Sequence, residues 1–108
     1  MARIQMTYQN LLALKNDIQF QQKNSPAFYY FNKSRVEKLF SLNKMAFSVL
    51  QSRLDELVKK YVKFDKDMQP ITEEKDGQRV YCFYSDESRQ QYMDKLNQFL
   101  SQSISIEL

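Results

Sequence analysis

Residues 36–64 read VEKLFSLNKMAFSVLQSRLDELVKKYVKF, and their spacing decides the fold. Val36, Phe40, Asn43, Phe47, Leu50, Leu54, Leu57, Tyr61 and Phe64 follow one another at alternating steps of four and three residues. That repeat keeps one side of an α-helix apolar, whereas a strand would need a period of two. Leu39, Leu42, Ala46, Val49 and Val58 widen the apolar side on both flanks, more than a bare two-stranded seam requires. One long helix over residues 28–64, packed against more than one neighbour, is the reading. Asn43 interrupts the ladder. A polar residue there either fixes register at some cost in stability or marks a partly exposed end of the seam.

Upstream, residues 7–22 read as a shorter helix. Thr7 suits its N-cap, and Leu11, Leu14 and Ile18 recur at helical spacing, with Tyr8 and Leu12 beside them. Asn24-Ser25-Pro26 breaks the pattern. The two helices form an antiparallel helical hairpin in this reading. At 1.5 Å per residue they extend about 55 Å and about 24 Å, so the shorter cannot cover the longer. Either the C-terminal part folds back over the remainder, or a second copy does.

At the start of the long helix, after the break, lies Phe28-Tyr29-Tyr30-Phe31. Four consecutive helical residues point around the whole axis, so one face cannot bury them all. If the run is helical, one or two rings are exposed or meet a partner, a role that suits Tyr. If it lies in a non-helical corner, the rings can bury separately. Lys33, Arg35, Lys38 and Lys44 follow. Rings beside cations resemble a surface for single-stranded nucleic acid, but Lys and Arg on a helix also form its ordinary solvated face.

Downstream, Asp65 to Pro70 ends the long helix. Pro70-Ile71-Thr72 is expected to pair with Arg79 to Tyr84 across a turn containing Asp76-Gly77, leaving Glu73-Glu74-Lys75 polar and exposed. Ser85 caps a further helix with Asp86 and Glu87 in its first turn. Tyr92, Met93, Leu96, Phe99 and Leu100 form its apolar face. Ile104 to Leu108 alternates as a half-buried strand does and is expected to join that hairpin. The fold class is therefore α+β, mainly α, as a single domain over residues 1–108.

Composition narrows the chemistry. The chain has 108 residues, one Gly, two Pro, one Cys and no His. Scarce turn formers favour helices over an all-β fold. Cys82 cannot form an internal disulfide and reads as a small buried hydrophobe. Without His there is no imidazole base, and one Cys excludes the usual zinc sets. One Gly excludes glycine-rich phosphate loops. The carboxylates sit in turns and at a helix start, where acids are structurally expected. Asp65-x-Asp67-x-Gln69 invites a calcium reading, but the sixth and twelfth positions of such a loop would be Pro70 and Asp76 instead of Gly and Glu. The expectation is a non-enzyme with no cofactor, no metal and no small-molecule substrate. The N-terminal ten residues are polar, unlike a leader, and no stretch suffices to span a membrane. A location in the cytosol of whatever cell makes the chain is expected.

Charge is uneven. Residues 1–64 hold 11 basic and 4 acidic residues, a net of +7, and residues 65–108 hold 5 and 9, a net of −4. Opposite halves can attract within one molecule or between copies.

Lys33-x-Arg35, Leu54-x-x-Leu57, Lys60-Tyr61-x-Lys63-x-Asp65, Pro70-Ile71, Val80 to Tyr84, Asp86-Glu87 and Ile104 to Leu108 together resemble a family of short phage and prophage proteins of unknown function. The likeness covers roughly the last three quarters of the chain. Met68-Gln69 stands where that family has Asp-Gly, and the Phe28–Phe31 run is a second departure. The resemblance implies a phage setting, in virion assembly or host takeover, and with it a location in the cytoplasm of the host bacterium or in the virion; it attaches no catalytic residue. The function expected is protein–protein interaction by a phage structural or assembly component, with itself or another protein as partner. The alternatives are a phage-encoded inhibitor of a host or defence protein and a nucleic-acid-binding accessory protein. Phe28, Tyr29, Tyr30, Phe31, Lys33, Arg35 and Lys38 are the candidate interaction residues.

Overall fold

A computed structural model describes residues 2–108. Over the described residues the chain is mainly helical (63%), with four helices and two small antiparallel sheets. The order is β1 (Arg3–Thr7), α1 (Tyr8–Asn24), α2 (Pro26–Leu42), α3 (Lys44–Tyr61), β2 (Thr72–Lys75), β3 (Gln78–Tyr81), α4 (Asp86–Leu100) and β4 (Ser103–Glu107). It divides into two compact units. One runs to Gln51 and takes in Leu100–Leu108; the other is Ser52–Phe99.

In the first unit, β1 pairs with β4 in antiparallel register, Ile4 opposite Ile106 and Met6 opposite Ile104. Alternation places these four on one face of the ribbon and Arg3, Gln5, Thr7, Ser103, Ser105 and Glu107 on the other. Arg3 bonds Glu107 at 3.0 Å, and the Gln5 amide donates to the Ser105 hydroxyl. Ile106 is fully buried, as are Leu11 and Leu50. The alternating tail thus forms a strand, but not one that joins the hairpin. Its partner is the N-terminal stretch, which carries too few apolar residues to declare itself.

Thr7 caps α1 by accepting from the Asn10 amide at 3.2 Å. Ser25 alone separates α1 from α2, and Pro26 fills the first position of α2, where its missing N–H costs nothing. Nor is the Phe28–Phe31 run a non-helical corner, because it lies inside α2.

The single rod expected over 28–64 is instead two helices, α2 and α3, separated at Asn43. Asn43 takes φ −118° and ψ 27°, well off helical values. Its side chain is the cause. The carboxamide nitrogen donates to the Leu39 carbonyl at 2.9 Å and to the Glu107 carbonyl at 2.8 Å, and its oxygen accepts from the Glu107 amide at 2.8 Å. Asn readily diverts backbone partners in this way. The interruption is one residue long: the Asn43 amide still reaches the Leu39 carbonyl, and the Phe47 amide the Asn43 carbonyl, both at 3.1 Å. Asn43 is buried, 6% exposed, so it is not a frayed end of the seam.

The second unit is built on Leu57, Tyr61, Val62 and Tyr92, with Val58, Phe83 and Leu96 against them. α3 stops at Tyr61 rather than at Phe64; Val62 and Phe64 are already extended and bridge to Phe83 and Pro70. Asp65 then turns the chain. Its carboxylate accepts from the amides of Asp67 and Gln69, at 2.8 and 3.0 Å, so this acid is occupied in shaping a turn. Among the described residues no cluster of ligands could hold a metal ion. Glu73, Glu74 and Lys75 are exposed, but as the body of β2, paired with β3 from Thr72–Tyr81 to Lys75–Gln78. Asp76 and Gly77 both have positive φ, 52° and 79°, as a two-residue turn between twisted strands demands. The Ser85 hydroxyl accepts from the Ser88 amide and caps α4.

Among the described residues no helix is long and apolar enough to cross a membrane.

Candidate functional site

The nine ladder positions are placed consistently. Asn43, Leu50, Leu57 and Tyr61 are buried, and Val36, Phe40, Phe47, Leu54 and Phe64 are half-buried. They belong to two units, Val36 to Leu50 in the first and Leu54 to Phe64 in the second. Phe40 and Phe47 meet edge-on at 4.7 Å, either side of Asn43.

The candidate interaction residues lie on α2, and the helix is unusual. None of its residues is buried, although it holds Phe28, Tyr29, Tyr30, Phe31, Val36, Leu39, Phe40 and Leu42. Phe28 is 59% exposed, Tyr30 74% and Phe31 82%. Tyr29 turns the other way, into a small apolar cleft of about 110 Å³ lined by Ile18 and Gln21 of α1 and by Phe28, Asn32 and Val36 of α2. Helical geometry forces this outcome, since residues a third of a turn apart cannot share one face. Tyr30 and Phe31 stack edge-on at 5.9 Å, which holds two exposed rings together. Lys33, Arg35 and Lys38 are exposed on the same helix. Lys33 reaches Glu37 at only 3.9 Å, a weak surface pair. Phe20, at 61% exposure, adds a further ring from late in α1. The result is an aromatic and basic surface on one short helix.

A second feature had no counterpart in the sequence reading. The unit Ser52–Phe99 has an open groove of about 820 Å³. Tyr81, Phe83 and Tyr92 give it aromatic walls, and Lys63, Lys75, Arg79 and Arg89 are also among its lining residues, with Lys75 and Arg79 on opposite faces of the β2–β3 ribbon. Tyr92 anchors the rings, with Phe83 at 5.2 Å and Tyr61 and Tyr81 each at 6.4 Å. Burial, and then the neighbouring Tyr81, push the Tyr92 phenol above its ordinary value. Cys82 also lines the groove and is half-buried and free. The four cations come from the extended stretch after α3, the β2–β3 ribbon and the start of α4. No local motif announces this grouping.

Compared with known proteins, the chain matches no family model, no curated protein and no solved structure.

Proposed function

We propose that this chain is a non-enzymatic protein–protein interaction domain whose contact surface is the aromatic and basic side of α2, carried on the α1–α2 helical hairpin. The supporting observation is that a helix rich in large apolar side chains leaves none of them buried while Phe28, Tyr30 and Phe31 stand mostly in water. Exposed large rings, two of which, Tyr30 and Phe31, touch each other, mark interaction sites. The favoured occupant is another copy of the chain. The surface carries Lys33, Arg35 and Lys38, and residues 65–108 supply a net charge of −4 to receive it. A contact between unlike surfaces generates rings or open filaments, which suits a structural or assembly component. The phage setting rests on the resemblance of residues 33–108 alone.

Light scattering on the eluting full-length chain tests the reading. It should show a species larger than a monomer whose mass falls on dilution and in high salt. A monomer across the whole accessible concentration range sinks the proposal.

A further inference from the structure

We propose that the open edge of β1 pairs with the β1 of a second copy, so that two β1–β4 ribbons join about a two-fold axis into one antiparallel sheet in the order β4–β1–β1–β4. This contact is separate from the α2 surface and does not rest on it. Backbone direction carries the argument first. The Leu108 amide donates to the Ala2 carbonyl at 2.9 Å and the Tyr8 amide to the Gln102 carbonyl at 3.0 Å. Bonded pairs alternate along an antiparallel ladder, so the main-chain groups of Ile4 and Met6 face β4 while those of Arg3, Gln5 and Thr7 face away from it. Asn43 marks the same phase on the other strand, since it takes both outward groups of Glu107.

The two edges of the ribbon differ. On β4, the Asn43 carboxamide fills the place at Glu107 that a further strand would take. On β1, among the described residues, nothing bonds the outward N–H and C=O of Arg3 or Gln5. Arg3, Ile4 and Gln5 are exposed. Ile4 is 42% exposed although Ile106, opposite it on the same face, is fully buried. An unpaired edge with no Pro or Lys and an uncovered apolar side chain is a template for another strand.

The occupant is the same strand, because the edge is complementary to itself. Antiparallel pairing centred on Gln5 sets Gln5 against Gln5, Arg3 against Thr7 and Ile4 against Met6. The outward residues are then the ones brought opposite each other. The two Gln5 residues exchange main-chain bonds, and each Thr7 amide meets the Arg3 carbonyl of the other copy. On the apolar face a row runs Ile106, Ile4, Met6, Ile104 across all the strands, which covers Ile4. A Gln side chain both donates and accepts, so it suits its own image on the axis. The charge of the strand, Arg3, is already paired with Glu107 at 3.0 Å and meets uncharged Thr7. Slipping the register by two residues towards Ala2 would instead set the two Arg3 side chains diagonally across from each other, an unfavourable arrangement. An extended segment of an unrelated protein would find the same backbone groups but not this symmetric register.

The test puts a cysteine on the axis of the full-length chain, with Cys82→Ser removing the native thiol. Bonded residues of an antiparallel pair lie about 5.5 Å apart at Cα, within reach of a disulfide, so Gln5→Cys should oxidise to a covalent dimer. Ser105→Cys should not, because its twin is three strand spacings away, about 14 Å. Amide exchange reads the edge without mutation: protection of the Gln5 amide at high concentration should fall by about tenfold on dilution. Gln5→Pro removes an N–H that faces away from β4, which an edge strand tolerates, and should weaken the dimer by about tenfold. If circular dichroism shows that variant unfolded, the crosslink and the exchange decide. High salt and Phe31→Glu, which weaken the α2 contact, should both leave the Gln5→Cys crosslink intact, so failure of one contact is told from failure of the other. The proposal is overturned if Gln5→Cys stays monomeric, if Ser105→Cys crosslinks as well, if the crosslink is lost in Phe31→Glu, if a folded Gln5→Pro dimerises like the native chain, or if Gln5 exchange does not respond to concentration.

Discussion

At the scale of single residues, Asn43 does two jobs with one carboxamide. It ends α2, and it satisfies both backbone groups of Glu107 that face away from β1. Asn43→Leu should restore ladder apolarity and still destabilise the chain by about 2 kcal/mol, because the Glu107 N–H and C=O lose their partner. Urea unfolding monitored by circular dichroism measures it; an unchanged or raised midpoint would contradict the role. Tyr92 gives a second expectation. Burial raises its phenol pKa, so the folded state holds a proton that the unfolded chain releases first. The associated stability is complete below the ordinary tyrosine range and is lost as pH climbs from about 10 through the folded value. Denaturation midpoints across alkaline pH should fall, and in Tyr92→Phe that fall should be shallower.

At the scale of elements, α2 supports the sharpest mutation. Phe31 is 82% exposed, so replacing it should not disturb folding. Phe31→Glu should weaken self-association by roughly 30-fold, about 2 kcal/mol, if the ring is a contact anchor. Sedimentation equilibrium reads this directly, and wild-type association in the variant would remove the ring from the interface. The elements also differ in how legible they were. The ladder told which side of residues 36–64 turns away from water, because period follows from helix geometry alone: none of its nine positions is exposed. It could not show the division at Asn43, since a one-residue interruption leaves the phase intact. Ser85, Thr7 and Asp76-Gly77 were readable because caps and tight turns are set by the residue itself. β1 was not, since Arg3-Ile4-Gln5-Met6-Thr7 is stabilised by a strand nearly the whole chain away. The exposed rings of α2 follow from four adjacent aromatics, whereas the groove joins residues from Lys63 to Met93 and needed coordinates.

At the scale of the molecule, α3 passes through both compact units, Lys44–Gln51 in one and Ser52–Tyr61 in the other. A helix melts cooperatively along its length, so the chain should unfold as one domain. Calorimetry is expected to give one transition whose calorimetric and van 't Hoff enthalpies agree. Two resolved transitions would mean that the units are independent. The first unit is the more vulnerable to truncation, because removing Ser103–Glu107 strips β1 of the strand it pairs with and Asn43 of its Glu107 backbone partners.

Pairing β1 with β4 also sets a timetable for synthesis. The Arg3–Glu107 contact spans 104 positions, so β1 leaves the ribosome long before its mate exists. Ser52–Phe99 is contiguous and can close as soon as it emerges. The nascent polypeptide therefore carries Ile4 and Met6 unmatched for most of its translation, an interval in which a chaperone has something to hold.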